Sequence, residues 1–236
     1  ILLYRRYGVR LSANSVGRLL AHLGITPQKP LWRAYQQDPE RVRQWIQAEY
    51  PAIARQAQQE KAEIWFGDES GVRSDYHAGT TWAARGKTPV VRTTGARYRL
   101  NMLSAVNRRG KMRFMIEAKG LNADVMCRFL DRLMAGQKRR VFLILDGHPI
   151  HKSARLARKV TAFDGRLRLF LLPPYSPELN PDEGVWREVK GHRLGRAGIF
   201  SFADLKSKAL GALRHLARRP DKVRALFRTH TTIYAA

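Results

Sequence analysis

The run Val141-Phe142-Leu143-Ile144-Leu145 constrains the fold more than any other stretch of the chain. Five consecutive apolar residues show neither the helical spacing nor the strict alternation of an element with one wet face. They read as a strand covered on both faces, the situation of a parallel strand lying between layers of helices. An acid, Asp146, closes the run. In open α/β sheets the crevice beyond the carboxyl ends of the strands is where ligands bind, so this strand delivers Asp146 to such a place.

The rest of the chain supplies partners for that strand. Ile64-Trp65-Phe66 reads as a short strand with Asp68 following it, and strand-like stretches come at 80–84, 90–93, 98–106, 112–118 and 167–172. Glycines at 79, 86, 95 and 110 punctuate them, as hairpin turns require. Asn122 is placed to cap a helix carrying Val125, Phe129, Leu130 and Leu133 on one face. Further helices are expected near 151–160 and from Pro181 onward. Upstream of Glu63 the pattern is helical. Ser12 caps a stretch with Val16, Leu19, Leu20 and Leu23 at helical spacing, closed by Gly24. Residues 26–30 then break the periodicity as a linker would. Asp38-Pro39 opens a run towards Tyr50, and Pro51 a second one to about Lys61. This order predicts an α/β fold: a mixed sheet with an antiparallel flank, covered by helices.

Charge narrows the choice of partner. Lys and Arg number 44 against 19 Asp and Glu, a formal net charge of +25. Such an excess repels itself in the folded state and suits a polyanion whose counterions are released on binding, nucleic acid before all others. No apolar run approaches the roughly 18 residues of a membrane-spanning helix, so no membrane partner is expected. With Cys127 as the single cysteine, disulfides within the chain and cysteine-rich zinc modules are excluded. His148 and His151 beside Asp146 do not by themselves make a zinc site. The first residue, Ile1, is the start expected of a fragment.

A third acid, Glu183, stands in Asn180-Pro181-Asp182-Glu183. That string also reads as a helix start in which Glu183 turns back to complete a capping box. The alternative is that the same helix start aims Glu183 into the crevice with Asp68 and Asp146. Their neighbours Glu69 and Asp182 are expected to point elsewhere, since adjacent residues diverge on strands and helices. Three gathered carboxylates suit phosphodiester cleavage, in which two divalent ions activate the attacking oxygen and neutralise the leaving one. Hard ions such as Mg²⁺ take oxygen ligands from a few carboxylates and from the substrate phosphate. Arg187 and Lys190 follow Glu183 on one helix face, His151 and Lys152 follow Asp146, and Arg85, Lys87 and Arg92 lie near Trp82. These are the expected phosphate contacts, with His151 read equally as a support behind the acids or a buried structural histidine, Arg187 equally as an ordinary i,i+4 ion-pair partner of Glu183, and Trp82 as sheet core. Lys138-Arg139-Arg140 reads as a solvated turn.

The strings GDESG (67–71), LILDGHPIHKS (143–153) and LPPYSPELNPDEGVW (172–186) resemble DDE-type transposases of the mariner-like superfamily. The bacterial insertion-sequence branch called the six-thirty family is the closest likeness, and the last string is the most specific. The resemblance covers about Ala62 to Lys190. It implies a ribonuclease-H-like fold, Asp68, Asp146 and Glu183 as catalytic and metal-binding acids, and two Mg²⁺ ions replaceable by Mn²⁺. It further implies cleavage at inverted-repeat ends, insertion at TA, a homodimer or higher assembly on DNA, and a bacterial, cytoplasmic, nucleoid-associated protein. In this scheme residues 1–30 are the end of a helix-turn-helix DNA-binding region, 31–61 a helical linker and 62–236 the catalytic domain. Gly147 departs from the pattern, which more often has Asn there. That departure motivates a second reading, a DNA-binding regulator or domesticated relative without catalysis. A third reading, a ribonuclease-H-like nuclease acting on branched DNA or RNA hybrids, differs in substrate.

Overall fold

The computed structural model describes residues 2–27, 34–77, 80, 82–90, 92 and 94–236, with the side chains of residues 2 and 3 excepted. Most of the expected 26–30 linker falls outside these, as do Gly79, Thr81, Val91 and Thr93 of the expected hairpin region. The chain divides into two compact units, Ile1–Tyr35 and Gln36–Ala236.

The smaller unit holds α1 (Leu2–Tyr7) and α2 (Ala13–His22). Ser12 caps α2 as expected, its side chain accepting from the Ser15 N–H. The chain leaves α2 through Gly24, whose φ of +73° is a left-handed conformation that glycine adopts without steric cost.

The larger unit opens with α3 (Pro39–Gln44), capped by Asp38, which runs through a widened turn at Trp45–Glu49 into α4 (Tyr50–Gln59). The expected break at Pro51 is absent. Proline has no N–H and its ring crowds the carbonyl one turn back. The widened turn answers this, with the Tyr50 N–H donating to the Trp45 carbonyl five residues back. Trp45, Tyr50, Ile53 and Ala57 are buried in the unit's core.

A five-stranded sheet follows, in the order β3-β2-β1-β4-β5. β1 (Glu63–Arg73), β2 (Arg99–Val106) and β3 (Met112–Glu117) pair antiparallel, while β4 (Val141–Leu145) and β5 (Leu167–Leu171) run parallel to β1. β1 is far longer than its apolar start predicts. β2 pairs with it as far as Arg73, so Asp68 lies within the strand and does not follow it. The strands expected at 80–84 and 90–93 do not form among the described residues, which are irregular and exposed. Trp82, expected in the core, is 100% exposed. With no neighbouring strand to pair with, this segment has no sheet face on which to bury it.

The five apolar residues of β4 divide as a doubly covered strand should. Phe142 and Ile144 join one core, Val141, Leu143 and Leu145 the other. The first core lies under α4, α8 (Phe202–Ala217) and α9 (Pro220–Ala225). The second lies under α5 (Ala123–Met134) and α6 (Ala154–Thr161). Asn122 caps α5 by accepting from Val125, and Val125, Phe129, Leu130 and Leu133 are its buried face. Each such side chain contributes about 1.5 to 3 kcal/mol by leaving water. Among the described residues, no helix is long and apolar enough to cross a membrane.

Candidate active site

Strand register brings the first two acids together. β1 and β4 pair Glu63 with Val141 and continue in step to Phe66 and Ile144. Carried two residues further, that register sets Asp68 beside Asp146, on strands about 4.8 Å apart. Asp68 shares the face of Phe66 and Ile144, since side chains alternate along a strand.

Glu183 comes from the turn between β5 and the C-terminal helices. Asn180, buried, donates from Nδ2 to the Gly67 carbonyl of β1 at 3.0 Å, and its Oδ1 accepts from the Asp182 N–H at 3.0 Å. One amide therefore both caps the turn and ties it to the strand bearing Asp68. The expected capping box is not used. Glu183, first residue of α7 (Glu183–Trp186), instead lies near enough to Asp68 for the two carboxyls to act on one another. Three residues on, the Trp186 indole N–H donates to Asp68 Oδ2 at 2.8 Å. Asp182, expected to point elsewhere, is fully buried beside Asp68: it accepts at 2.6 Å from Oγ of Ser104, the β2 residue paired with Asp68.

The acids repel one another strongly. Burial, then the charges of Glu183 and Glu69, hold the Asp68 carboxyl well above its usual range, against the pull of the indole bond. Burial pushes Glu183 up as well; Lys190 and Arg187 pull it down, and Asp146 adds to the rise. Asp182 is held well above its usual range by burial and by Asp68. Asp146 goes the opposite way: burial would raise it, but hydrogen bonds from the His151 ring and the His148 N–H outweigh that and lower it.

A second cluster adjoins the first. Glu69, Asp146 and His151 each offer a ligand atom within 4.8 Å of the others. His151, only 7% exposed, directs Nδ1 to Asp146 Oδ1 at 2.9 Å. Its Nε2 lies 3.4 Å from Glu69 Oε2, near enough for charge attraction although out of line for a hydrogen bond. Burial alone would depress the imidazole, but its two carboxylate neighbours prevail and lift its pKa to about 10. Glu69 was expected to be a bystander. The alternation that turns it from Asp68 turns it towards Leu103, Met126 and His151 on the other sheet face. Asp146, just past the end of β4, meets groups of both faces.

The other expected contacts divide. Lys190 is half-buried, its Nζ 3.0 Å from Ser70 Oγ, and it and Arg187 face Glu183. Lys152 is exposed beside Gly147. Arg85 and Lys87 are exposed on the irregular segment, and among the described residues no hydrogen bond or ion pair ties them to the acids. Apart from Glu69, the sequence reading missed the indole of Trp186. A tryptophan three residues after the third acid, one turn along the helix, is the signal that points to it.

A mixed sheet with acids in register at adjacent parallel strands, and a third acid aimed at them from a flanking helical turn, has the layout of a ribonuclease-H-like nuclease domain. The family described as "DDE superfamily endonuclease" matches residues 63–206, more than half of the chain, and the chain belongs to it. Residues 1–49 match the winged helix-turn helix family. Among solved structures, the chain is similar to one titled "Crystal structure of the Mos1 mariner paired end complex with Mn" at 13% identity and a TM-score of 0.66, over 100% of this chain and 77% of that one. The Mos1 strand transfer complex is similar at 15% identity and a TM-score of 0.64, over 100% and 76%. The catalytic domain of Mos1 mariner transposase is similar at 14% identity and a TM-score of 0.50, over 84% of this chain and 97% of that one.

 For the domain with Raltegravir and Mn the shares are 88% and 98%, at 14% identity and a TM-score of 0.52. These likenesses are of fold. No curated protein matches the sequence significantly.

Proposed function

We propose that this chain is the transposase of a mobile DNA element in the six-thirty branch of the mariner-like superfamily. In this reading it hydrolyses phosphodiester bonds at the element's inverted-repeat ends, and the freed 3′ hydroxyl then attacks target DNA at a TA step. The observation that carries the reading is the meeting of Asp68, Asp146 and Glu183 in a DDE endonuclease with a formal net charge of +25.

The residues fit hard divalent cations. Burial and mutual repulsion hold the Asp68 carboxyl, and burial the Glu183 carboxyl, above the usual range, the condition a bound cation would relieve, and their oxygens are ligands suited to Mg²⁺ or Mn²⁺. We assign Asp68, Asp146 and Glu183 as the ligands of two such ions. When bound, the ions supply acidification of the attacking oxygen and neutralisation of the leaving one. The chain's own groups hold the geometry: Trp186 fixes Asp68, Asn180 seats the Glu183 turn, and His151 orients Asp146. His151 was read as a phosphate contact, a support behind the acids or a buried structural histidine. Its burial between two carboxylates favours a positioning role. Arg187, Lys190, Lys152, Arg85 and Lys87 remain the proposed phosphate contacts. Residues 1–30 would contribute to recognition of the element ends and 62–236 to catalysis, in an assembly of at least two copies that brings two ends together.

The test is nicking of a plasmid carrying the DNA that flanks the coding sequence, with Mn²⁺ present. Wild type should cut and Asp146→Ala should not, while both bind the DNA. Equal cutting by the two proteins would refute the assignment, and binding without cutting by wild type would favour the non-catalytic regulator.

A further inference from the structure

A strongly basic cavity of the larger unit lies at the end of the sheet away from the acids. It has a volume of about 800 Å³ and is lined by α4 and the turn after it, the Asn107–Arg109 turn, and the Lys138–Arg140 turn that leads into β4. Glu63, which opens β1, also lines it. Five residues of extended strand separate Glu63 from Asp68, about 17 Å at 3.3 Å per residue.

Two acids line this cavity, and both are engaged. Glu60 pairs with Arg140 at 2.7 Å and Arg168 at 2.8 Å. Glu63 pairs with Lys111 at 2.9 Å, with Arg109 at 3.6 Å. Arg55, Lys61, Lys138 and Arg139 are exposed and have no carboxylate partner among the described residues. Lys61 also takes a φ of 54°, a conformation that a residue with a side chain adopts only at a cost. Clustering like charges costs self-repulsion. A ligand carrying several negative charges would offset the repulsion.

The cations come from separate chain segments held on one scaffold, so they match a ligand with repeated charges better than a single phosphate. The apolar residues of the lining, Tyr50, Ala57 and Ile64 among them, are buried or half-buried, which leaves no exposed apolar anchor for a peptide. We propose that this cavity is a second DNA-binding surface, which takes the phosphate backbone of a duplex segment distinct from the one at the acids.

The experiment uses the full chain in EDTA and a fluorescent 30-base-pair duplex of random sequence, with affinity measured by anisotropy across KCl concentrations. The variants are Lys138→Glu/Arg139→Glu and its milder form Lys138→Gln/Arg139→Gln. Arg113→Glu/Lys119→Glu makes the same change of charge at exposed positions elsewhere. Two lost phosphate contacts should lower the slope of log affinity against log salt by about 1.8 and weaken binding tenfold or more at 100 mM salt. The Gln pair should move in the same direction, with an unchanged thermal melt. Slopes and affinities for the 138/139 variants equal to those of wild type, or shifted no more than those of the 113/119 control, would overturn the proposal. So would competition by polyglutamate as effective as that by unlabelled duplex.

Discussion

Asn180→Ala isolates the contact that seats Glu183. The substitution deletes the donor to the Gly67 carbonyl and the acceptor of the Asp182 N–H, both at 3.0 Å and both buried. Leaving a buried polar group unpaired costs about 1 to 3 kcal/mol. Two such losses give roughly 3 kcal/mol, since water relieves part of the strain when the turn shifts. For a domain of this size each kcal/mol lowers Tm by roughly 2 to 4 °C, so a fall of about 10 °C is expected. Asn180→Asp keeps the acceptor and loses the donor, and should land between the two. Urea unfolding followed by tryptophan fluorescence reads the stability, and Mn²⁺-dependent nicking below the lowered Tm reads the site. Because a misplacement of about 1 Å is enough to cost 100-fold in rate, nicking should fall at least tenfold even where the protein remains folded. Asn180→Ala within 0.5 kcal/mol of wild type (about the spread of an ordinary surface substitution) would refute the reasoning, as would full nicking activity.

Divalent cations should stabilise the fold: at about 100 times Kd the gain is roughly 2.7 kcal/mol, or about 5 to 10 °C in Tm. Asp68→Asn should raise the Tm of the metal-free protein by removing a buried charge and should abolish most of the cation-induced shift; scanning calorimetry in EDTA and in Mg²⁺ checks both. Gly147→Asn should fold normally, because a Cβ there would meet nothing nearer than Lys152 Nζ at 4.0 Å; a loss above about 1 kcal/mol would contradict this, with surface substitutions usually within ±0.5 kcal/mol. Burial raises the Tyr50 hydroxyl from 10.0 to about 12, against the pull of Arg108. Its contribution is therefore present in full below pH 10 and lost as pH rises through 12, roughly 2 to 3 kcal/mol in all. Tyr50→Phe should unfold less steeply than wild type over that window in alkaline titrations followed by circular dichroism.

The elements legible in the sequence are those whose signal is local. The β4 run, the caps at Ser12 and Asn122 and the apolar face of α5 each depend on spacing or on a side chain within a few residues. What escaped depends on distant partners. β1 extends to Arg73 because β2 hydrogen-bonds to it there, which its own mixed polar sequence does not announce. Trp82 has the composition of a core residue, but the neighbouring stretches never pair and no sheet is formed to receive it. The break expected at Pro51 is local in sequence, yet a widened turn upstream absorbs it. At the candidate site, Asp68, Asp146 and Glu183 were named from strand ends and a helix start; Asp68 and Asp146 stand on adjacent strands, and Glu183 acts on Asp68 and feels Asp146, while the ligand atoms that converge within 4.8 Å are those of Glu69, Asp146 and His151. Glu69 was dismissed by strand alternation, which is correct about direction. Only the placement of His151 beneath the opposite face gives that direction a purpose.

The shared step between β1 and β4 makes the interior and the reactive centre inseparable. Slipping one strand by a single residue would turn Phe66 out of its packing and swing Asp68 to the wrong side of the sheet at the same moment. Insertions between the end of β1 and the start of β2 leave that alignment untouched, so length variation among natural relatives should accumulate there and be rare between Glu63 and Asp68.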